Sequence, residues 1–413
     1  MIELVAIQHA YADRMLFSGQ HTLTVADFVA MVEHEARELS GRALVHLSLS
    51  WTPRPWSQLL GALKAGCDVC LSTGPVPAER LEPFRAGRPL LILPSGGTSG
   101  EPRHVVHDAA TFLSRYALLQ RPCRRQLLLY AAGHMAGLDA FFQALHRGGS
   151  LVLPGAGWEA LRASLREEAV QVLAATPSQL QFMLLAEVLE VSACPALEQV
   201  VYGAEPMPPA LLRRLQERLP GVRFEQRFGM SELGALPTRP DPADALALFL
   251  DPPHRWRVMD GELQILTSGR LLGTLEDGLL EEAPWFATGD TAEVTATGAV
   301  RIMGRLAAQI NVGGRKVGPE RVESVLLEME GIDDVSIQAE PDPLTGQRVV
   351  AEVVLAGGAA LSRIRSLMRR HCLGAGLPLE AVPSRLREVP SIARTTHGKR
   401  PRGTMERLDS APR

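Results

Sequence analysis

A short segment near residue 100 combines glycines and hydroxyl groups in a pattern suited to binding phosphate. Its residues are Ser95, Gly96, Gly97, Thr98, Ser99 and Gly100. Glycine lets backbone N–H groups approach a ligand closely, and the hydroxyls can donate to phosphate or ligate a metal. Arg103 adds a cation just beyond the segment. The pattern predicts a polyphosphate-binding loop, with an ordinary surface turn as the alternative.

This loop differs from the common phosphate and hydrolase motifs. No Gly-Lys-[Ser/Thr] follows at the spacing of a Walker A loop. A second segment with candidate functional side chains runs from Phe228 to Glu232. It begins like the Gly-x-Ser-x-Gly motif of serine hydrolases. Its glycine arrives one residue late, because position 233 is leucine. We therefore disfavour both a Walker A NTPase and a serine hydrolase.

The second stretch carries three groups suited to a magnesium nucleotide. It consists of Phe228, Gly229, Met230, Ser231 and Glu232. An aromatic face can stack on a purine, a hydroxyl can donate to phosphate, and a carboxylate can hold magnesium.

Four further places hold candidate functional groups whose ordinary interpretation is structural. His134 stands at a predicted helix start and could be a cap or a packed histidine. The Gly203 turn and Asp290 could be plain turn residues. Lys399 lies in a basic tail, which is usually a solvated segment.

Taken in order, these stretches resemble the adenylate-forming superfamily, which includes acyl- and aryl-CoA synthetases, adenylation domains of nonribosomal peptide synthetases, and firefly luciferase. The first is similar to the family's S-[ST]-G-[ST]-T-G-x-P-K-G, with Arg103 at the lysine and His104 at the last glycine. The second is similar to Y-G-x-T-E, with Phe228 for Tyr and Ser231 for Thr. Near the end, Arg394-Thr395-x-x-Gly398-Lys399 resembles P-R-T-x-x-G-K.

The resemblance implies a role for each matching residue. Thr98 and Glu232 would organise Mg²⁺, and the residues from Ser95 to Arg103 would hold the β- and γ-phosphates. Residues along the adenine would be Gly203, Ala204 and Glu205, with Phe228, Gly229, Met230 and Ser231 completing the nucleotide site. Asp290 would bind the ribose hydroxyls and Arg305 would contact the nucleotide. His134, Gly203 and Met230 would face the acid substrate, and Lys399 would bridge the attacking carboxylate and the α-phosphate.

The implied reaction has two steps. A carboxylate attacks the α-phosphate of ATP to give an acyl-adenylate, and a thiol of CoA or of the phosphopantetheine arm of an acyl carrier protein then displaces AMP. Catalysis of this kind depends on positioning and charge neutralisation. We expect an aryl or a short- to medium-chain acid. Two alternatives stay open: a non-catalytic nucleotide- or acyl-binding relative, and an adenylating enzyme with an amine or intramolecular acceptor.

Alternating helical and strand patterns must position these residues. Thr22 to Leu39 predicts a helix after a threonine cap, and Thr345-Gly346 predicts a hairpin turn. The resemblance implies an α/β fold with a large AMP-binding domain over 1–304, shortened at its start, and a small mobile α+β domain over 305–413. Ala307 and Ala308 replace the polar residues that family members carry at the hinge.

Composition limits the partners. The chain has 413 residues, 46% of them hydrophobic, and a formal charge of −3, so nothing indicates general attraction to nucleic acid. Acidic residues interrupt the N-terminus, and no apolar run reaches the roughly 18 residues of a membrane span. The five cysteines fit reduced thiols, and Cys67-x-x-Cys70 lacks a second ligand pair for zinc. We expect a cytoplasmic protein.

Overall fold

The computed structural model describes residues 4–71, 74, 76–85, 87–95, 103–117, 124–236, 238–251, 255–266, 271–280 and 285–393. The predicted loop residues Gly96, Gly97, Thr98, Ser99 and Gly100, as well as Lys399, lie outside this part of the chain. Ser95 and Arg103, which flank the loop, lie within it.

Within the described residues the α-helices are α1 Leu4–Tyr11, α2 Val25–Glu38, α3 Pro53–Lys64, α4 Ala109–Ala117, α5 Met135–Arg147, α6 Trp158–Glu167, α7 Pro177–Leu185, α8 Pro209–Arg218, α9 Pro319–Leu326 and α10 Leu361–Gly374. Short 3-10 helices run over Ala78–Phe84, Leu306–Ala308 and Leu379–Ala381.

The strands of the first half are β1 Met15–Gly19, β2 Leu23–Thr24, β3 Leu44–His46, β4 Asp68–Cys70, β5 Leu90–Ser95, β6 Arg103–Asp108, β7 Arg125–Leu128, β8 Ser150–Leu153, β9 Val172–Ala175, β10 Gln199–Gly203, β11 Arg223–Arg227, β12 Gly229–Met230 and β13 Gly234–Ala235. Those of the second half are β14 Thr238–Asp241, β15 Asp244–Leu250, β16 Trp256–Met259, β17 Glu262–Leu266, β18 Leu271–Thr274, β19 Gly278–Leu279, β20 Trp285–Val294, β21 Val300–Arg305, β22 Ile310–Val312, β23 Arg315–Val317, β24 Ile332–Asp342, β25 Gly346–Leu355 and β26 Arg385–Glu388.

Four larger sheets organise the described chain. A seven-stranded sheet has the order β11-β10-β9-β7-β8-β1-β2. Its neighbouring strands are parallel except for the pair β1 and β2, which is antiparallel. A mixed sheet has the order β19-β18-β6-β5-β4-β3, and an antiparallel sheet the order β14-β15-β21-β20-β17-β16. The C-terminal sheet contains β22 to β26. The pair β12 and β13 stands apart. This arrangement confirms the expected α/β fold with a large N-terminal domain and a smaller C-terminal one.

Aromatic side chains fill the main core between the seven-stranded and mixed sheets. Trp56 of α3 stacks on Phe141 of α5 with ring centroids 4.0 Å apart, and Phe141 also contacts Phe17 and Phe28. Burial of each such side chain contributes roughly 1.5–3 kcal/mol. This core fixes α5, the helix that begins directly after His134.

Local sequence signals explain several element boundaries. Helix α2 begins at Val25 because the Thr24 side chain accepts a hydrogen bond from the Asp27 N–H. At α7, Thr176 and Gln179 form a reciprocal capping box ahead of Pro177. The hairpin predicted at Thr345 and Gly346 joins β24 and β25.

The strands change sheets near the predicted domain boundary. Strand β21 ends at Arg305 in the antiparallel sheet, and β22 begins at Ile310 in the C-terminal sheet. The intervening 3-10 helix contains Ala307. Division of the chain into 1–304 and 305–413 remains a prediction.

Polar contacts between described residues join the C-terminal part to helices that pack on the seven-stranded sheet. The Gln181 side chain of α7 donates to the carbonyl oxygen of Asp333. Arg213 of α8 pairs with Glu328 at 3.4 Å. Both side chains of that pair are partly exposed, so the pair adds little stability.

The cysteines that the structure describes are buried in separate core clusters. Cys67 and Cys70 lie in two different clusters, Cys194 in a third and Cys372 in that of the C-terminal domain. Burial raises the pKa of Cys194 and of Cys372 to about 11. No described group of three or more His, Cys, Asp or Glu side chains could hold a metal. Among the described helices, none has the length and apolar character needed to cross a bilayer.

His146 in the last turn of α5 should make the fold acid-sensitive. Burial, and then the nearby Arg147 charge, lower the pKa of His146 from 6.5 to about 4. Between these values the unfolded chain binds more protons than the folded one, so stability falls as pH falls through this window. From pH 7.5 to pH 5.0 the loss is at most about 2 kcal/mol, since the side chain is partly exposed.

We therefore expect His146→Gln to flatten this part of the pH dependence in urea unfolding. His21→Gln, on the surface, controls for loss of a histidine. An identical pH 7.5 to 5.0 difference in wild type and His146→Gln would contradict the assignment.

Candidate functional site

Two of the predicted signatures meet in the structure. The Ser231 hydroxyl donates to the carbonyl oxygen of Pro94 at 2.9 Å, and Pro94 lies at the end of β5 just before the predicted loop. His107 of β6 donates from Nε2 to the Ser231 carbonyl oxygen at 2.7 Å, since a carbonyl can only accept. His107 is fully buried, so this contact is part of the core. The second stretch is thus attached to the base of the first.

The residues that follow the predicted loop contact the hairpin of β18 and β19. Arg103 Nη1 lies 3.1 Å from Asp277 Oδ2, between β18 and β19. The backbone N–H of His104 donates to Glu276, and the His104 ring contacts the same carboxylate at 2.9 Å. The side chains of Arg103 and Asp277 are both exposed, so their ion pair contributes little stability. Replacing Asp277 by a phosphate as the partner of Arg103 would therefore cost little free energy. Sequence analysis did not anticipate these acids.

A close backbone approach brings the Gly203 turn beside the second stretch. Strands β10 and β11 are parallel, with Gly203 opposite Arg227. A Cβ at Gly203 would come within 2.6 Å of the Arg227 carbonyl oxygen, closer than real Cβ contacts allow. Ala204 then takes a left-handed φ of 67° to leave the strand. Only glycine at 203 lets this turn lie next to Phe228.

Glu205 is held against the first turn of α7. Its Oε2 accepts hydrogen bonds from the Ser178 N–H at 3.1 Å and the Ser178 hydroxyl at 2.6 Å. The helix N-terminus favours this negative charge. Oε1 is buried and has no hydrogen-bond partner among the described residues. Glu205 therefore fixes the turn and keeps one acceptor available.

Tyr130 packs beside the same turn. Its hydroxyl donates to the Ala175 carbonyl oxygen at 3.0 Å. Burial, and then the charge of Glu205, raise the pKa of Tyr130, so the phenol stays protonated and serves as a donor. The contact ties the segment that follows β7 to the end of β9.

The second stretch forms a tight hairpin between β12 and β13. Met230 pairs with Gly234. Phe228 and Met230 are 9% and 7% exposed and belong to the core cluster of the antiparallel sheet. Stacking of Phe228 on a purine stays a prediction, and only a small part of its side chain reaches the surface. Glu232 is half-buried.

Asp290 and Arg305 form a rigid pair on adjacent strands. They are Cα partners across β20 and β21, and Nε lies 3.0 Å from Oδ1. Arg305 Nη1 also donates to the Thr288 carbonyl oxygen at 2.9 Å. The Asp290 N–H donates to the Thr288 hydroxyl at 3.1 Å. A polar group such as a ribose hydroxyl would meet a carboxylate whose position is already set.

His134 caps the helix that faces the second stretch. Its backbone is extended, and its carbonyl oxygen accepts the first α5 hydrogen bond from Leu138 at 2.9 Å. The side chain makes no capping bond and is half-buried. Helix α5 packs against β12 and β13. The structure therefore places His134 at the end of the helix that packs beside Met230.

Comparison with known proteins identifies relatives across most of the chain. Residues 72–270 match the family model described as AMP-binding enzyme, and residues 321–399 match AMP-binding enzyme C-terminal domain. The chain is 28% identical to triostin synthetase I of Streptomyces triostinicus over 81% of its length and 67% of the relative's. It is 27% identical to 2-hydroxy-7-methoxy-5-methyl-1-naphthoate–CoA ligase of Streptomyces carzinostaticus, over 74% of this chain and 60% of that one.

The fold agrees with that of a solved structure. The anthranilate CoA ligase AuaEII, in complex with anthranoyl-AMP, superposes with a TM-score of 0.79 over 96% of this chain and 95% of the other. Their sequences are 17% identical, so this likeness concerns the fold.

The Ser231 contact with Pro94 should stabilise the junction of the two signatures. We expect Ser231→Ala to lower the free energy of unfolding by about 1 kcal/mol, because a partly buried carbonyl loses its donor. Ser231→Thr retains the hydroxyl and serves as the matched control. Urea unfolding of the three proteins checks this. Equal free energies of unfolding for wild type and Ser231→Ala would show that the contact does not stabilise the fold.

Proposed function

Because the chain belongs to the adenylate-forming superfamily of AMP-binding enzymes, we propose that it activates a carboxylic acid with ATP and transfers the acyl group to the thiol of CoA. The observation that supports this most directly is the contact of Ser231 with Pro94, which joins the nucleotide-type stretch to the base of the glycine-rich loop. The naphthoate–CoA ligase relative supports a thiol acceptor over an amine acceptor or a non-catalytic role.

The nucleotide would lie along the edge formed by the Gly203 turn, Phe228 and Ser231. The unpartnered Oε1 of Glu205 can accept from an amino group such as that of adenine. Asp290, oriented by Arg305, would bind the ribose hydroxyls. Arg103 would exchange its exposed partner Asp277 for a terminal phosphate.

Magnesium would be held by Glu232 together with Thr98. Glu232 is half-buried, and no hydrogen bond or ion pair joins it to another described residue, which suits an oxygen ligand for a hard cation. When bound, the ion neutralises charge on the phosphate oxygens.

The first step joins the acid to AMP. One carboxylate oxygen attacks the α-phosphorus of ATP, and the bond to the bridging oxygen breaks with pyrophosphate as leaving group. Lys399 would hold the two negative groups together, since its ammonium can contact both at once. His134 and Met230 would orient the acid from the α5 side.

The second step releases AMP. The thiol loses its proton and its sulfur attacks the acyl carbon, after which the carbon–oxygen bond to AMP breaks. The product is a thioester of CoA, with the phosphopantetheine arm of a carrier protein as the other thiol of the same chemistry. Since ATP and CoA are cytoplasmic metabolites, we propose a cytoplasmic reaction.

Exchange of labelled pyrophosphate into ATP tests this function. We expect exchange that depends on added acid, measured over a panel of aryl, fatty and amino acids. Mass spectrometry after addition of CoA should then detect the acyl-CoA. Absence of exchange with every acid would refute acid activation, whereas exchange without thioester formation would refute CoA as acceptor.

Lys399 should matter for the first step alone. We expect Lys399→Ala to reduce adenylate formation by at least a hundredfold, because the charge that bridges both reactants is lost. Capture of a synthetic acyl-adenylate by CoA should stay within a few-fold of wild type. Lys316→Ala removes an exposed lysine of the C-terminal domain as the control. Equal loss of both half-reactions would contradict the assigned role.

A further inference from the structure

A polar cluster of two buried and two half-buried side chains lies behind the second stretch. We define the Arg115 cluster as Arg115 and Tyr116 of α4 with Asp139 and Gln143 of α5. Gln143 donates from Nε2 to Asp139 Oδ2, and Tyr116 packs on Phe142 at 5.1 Å between ring centroids. Neither α-phosphate chemistry nor the nucleotide contacts described above use these side chains.

Arg115 is the unsatisfied member of the cluster. It is only 9% exposed, and its Nε donates to the Phe112 carbonyl oxygen at 3.0 Å. Its guanidinium carbon lies 4.3 Å from the centroid of the Phe112 ring. Both terminal nitrogens, Nη1 and Nη2, are buried and have no hydrogen-bond partner among the described residues. A buried charged donor of this kind is costly unless an acceptor reaches it.

Gly234 makes room for this guanidinium. Its φ is 78°, and a Cβ there would collide with the Arg115 guanidinium. Gly234 pairs with Met230, which the proposed function places at the acid. Paired Cα atoms in such a ladder are about 4.5–5.5 Å apart. On that premise, Arg115 contacts the residue paired with Met230 and so lies next to the proposed place of the acid.

The charges around the cluster favour an added anion. Arg115 and Arg227 are the cations that act on Asp139, and Arg227 already pairs with Glu225 at 2.6 Å. Burial raises the pKa of Asp139 against the opposing influence of these two arginines and of Gln143 and Tyr116. Among the described residues, no hydrogen bond joins Asp139 to the terminal nitrogens of Arg115, so these nitrogens can still accept an anion as partner.

We propose, on the premise of the acid-activating function, that Arg115 binds a second carboxylate on the substrate, so that the protein activates a short dicarboxylic acid. Two terminal N–H groups in one plane match the two oxygens of a carboxylate. The first carboxylate reacts beside Met230, and the second accepts from Nη1 and Nη2. The short span to Gly234 fits an aromatic or short-chain diacid better than a long alkyl acid.

A monoacid of the same length would leave the Arg115 donors unpaired. Sites built to hydrogen-bond a substrate group discriminate strongly against analogues that lack it. We therefore expect wild type to favour the diacid by at least tenfold in kcat/KM for pyrophosphate exchange. The matched pairs are adipate against hexanoate and terephthalate against 4-methylbenzoate.

Substitution of Arg115 separates the charge from the packing. Arg115→Met keeps an unbranched side chain without charge, and we expect it to lose the diacid preference or to reverse it. Arg115→Lys keeps the charge but not the fork, and it should retain a reduced preference. Thermal unfolding of each variant confirms that it is folded.

The outcomes distinguish this inference from the proposed function. Exchange that shows no diacid preference in wild type, or a diacid preference that Arg115→Met leaves unchanged, would overturn the diacid assignment while supporting acid activation. Absence of exchange with every acid would overturn the proposed function. Calorimetry with terephthalate would then decide on Arg115, since saturable binding lost in Arg115→Met supports the site and absence of binding overturns it.

Discussion

The hydrogen bond from Ser231 to the Pro94 carbonyl oxygen is the contact on which the arrangement of the site depends. It joins the hairpin of β12 and β13 to the end of β5, which belongs to another sheet. His107 holds the same residue through its carbonyl oxygen. Because the Gly203 turn packs against Arg227, the end of β5, the β12–β13 hairpin and the Gly203 turn lie close together. The sheets behind these segments therefore decide the geometry.

Sequence reasoning predicted the elements better than the contacts between them. The α/β fold, the helix beginning after His134 and the hairpin at Gly346 followed from local patterns and family resemblance. Local patterns carry no information on partners far apart in the chain. Pairing of Arg103 with Asp277 spans 174 residues and arises only once β18 lies beside β6.

Arg115 illustrates the same limit in a different way. In the sequence it is one cation in an amphipathic helix, and such residues usually face solvent. Its burial follows from the packing of α4 near β13 and from a glycine 119 positions later in the chain, which no spacing rule connects to it. Asp290 and Arg305 were each predicted as site residues, but their direct pairing required the register of β20 and β21. A buried cation of this kind is therefore recognised from the three-dimensional structure and not from the sequence pattern.

The reactivity of each buried cysteine reports on local opening of the core cluster around it. Cys67, Cys70, Cys194 and Cys372 lie in four separate core clusters, and that of Cys372 consists of C-terminal residues together with Ala210. A thiol reacts with alkylating reagents as the thiolate, which burial suppresses. The rate at which each cysteine is modified in the native protein thus measures how often its core cluster opens transiently. Local opening of the C-terminal cluster and of the clusters in the large domain would therefore be measured separately in one chain.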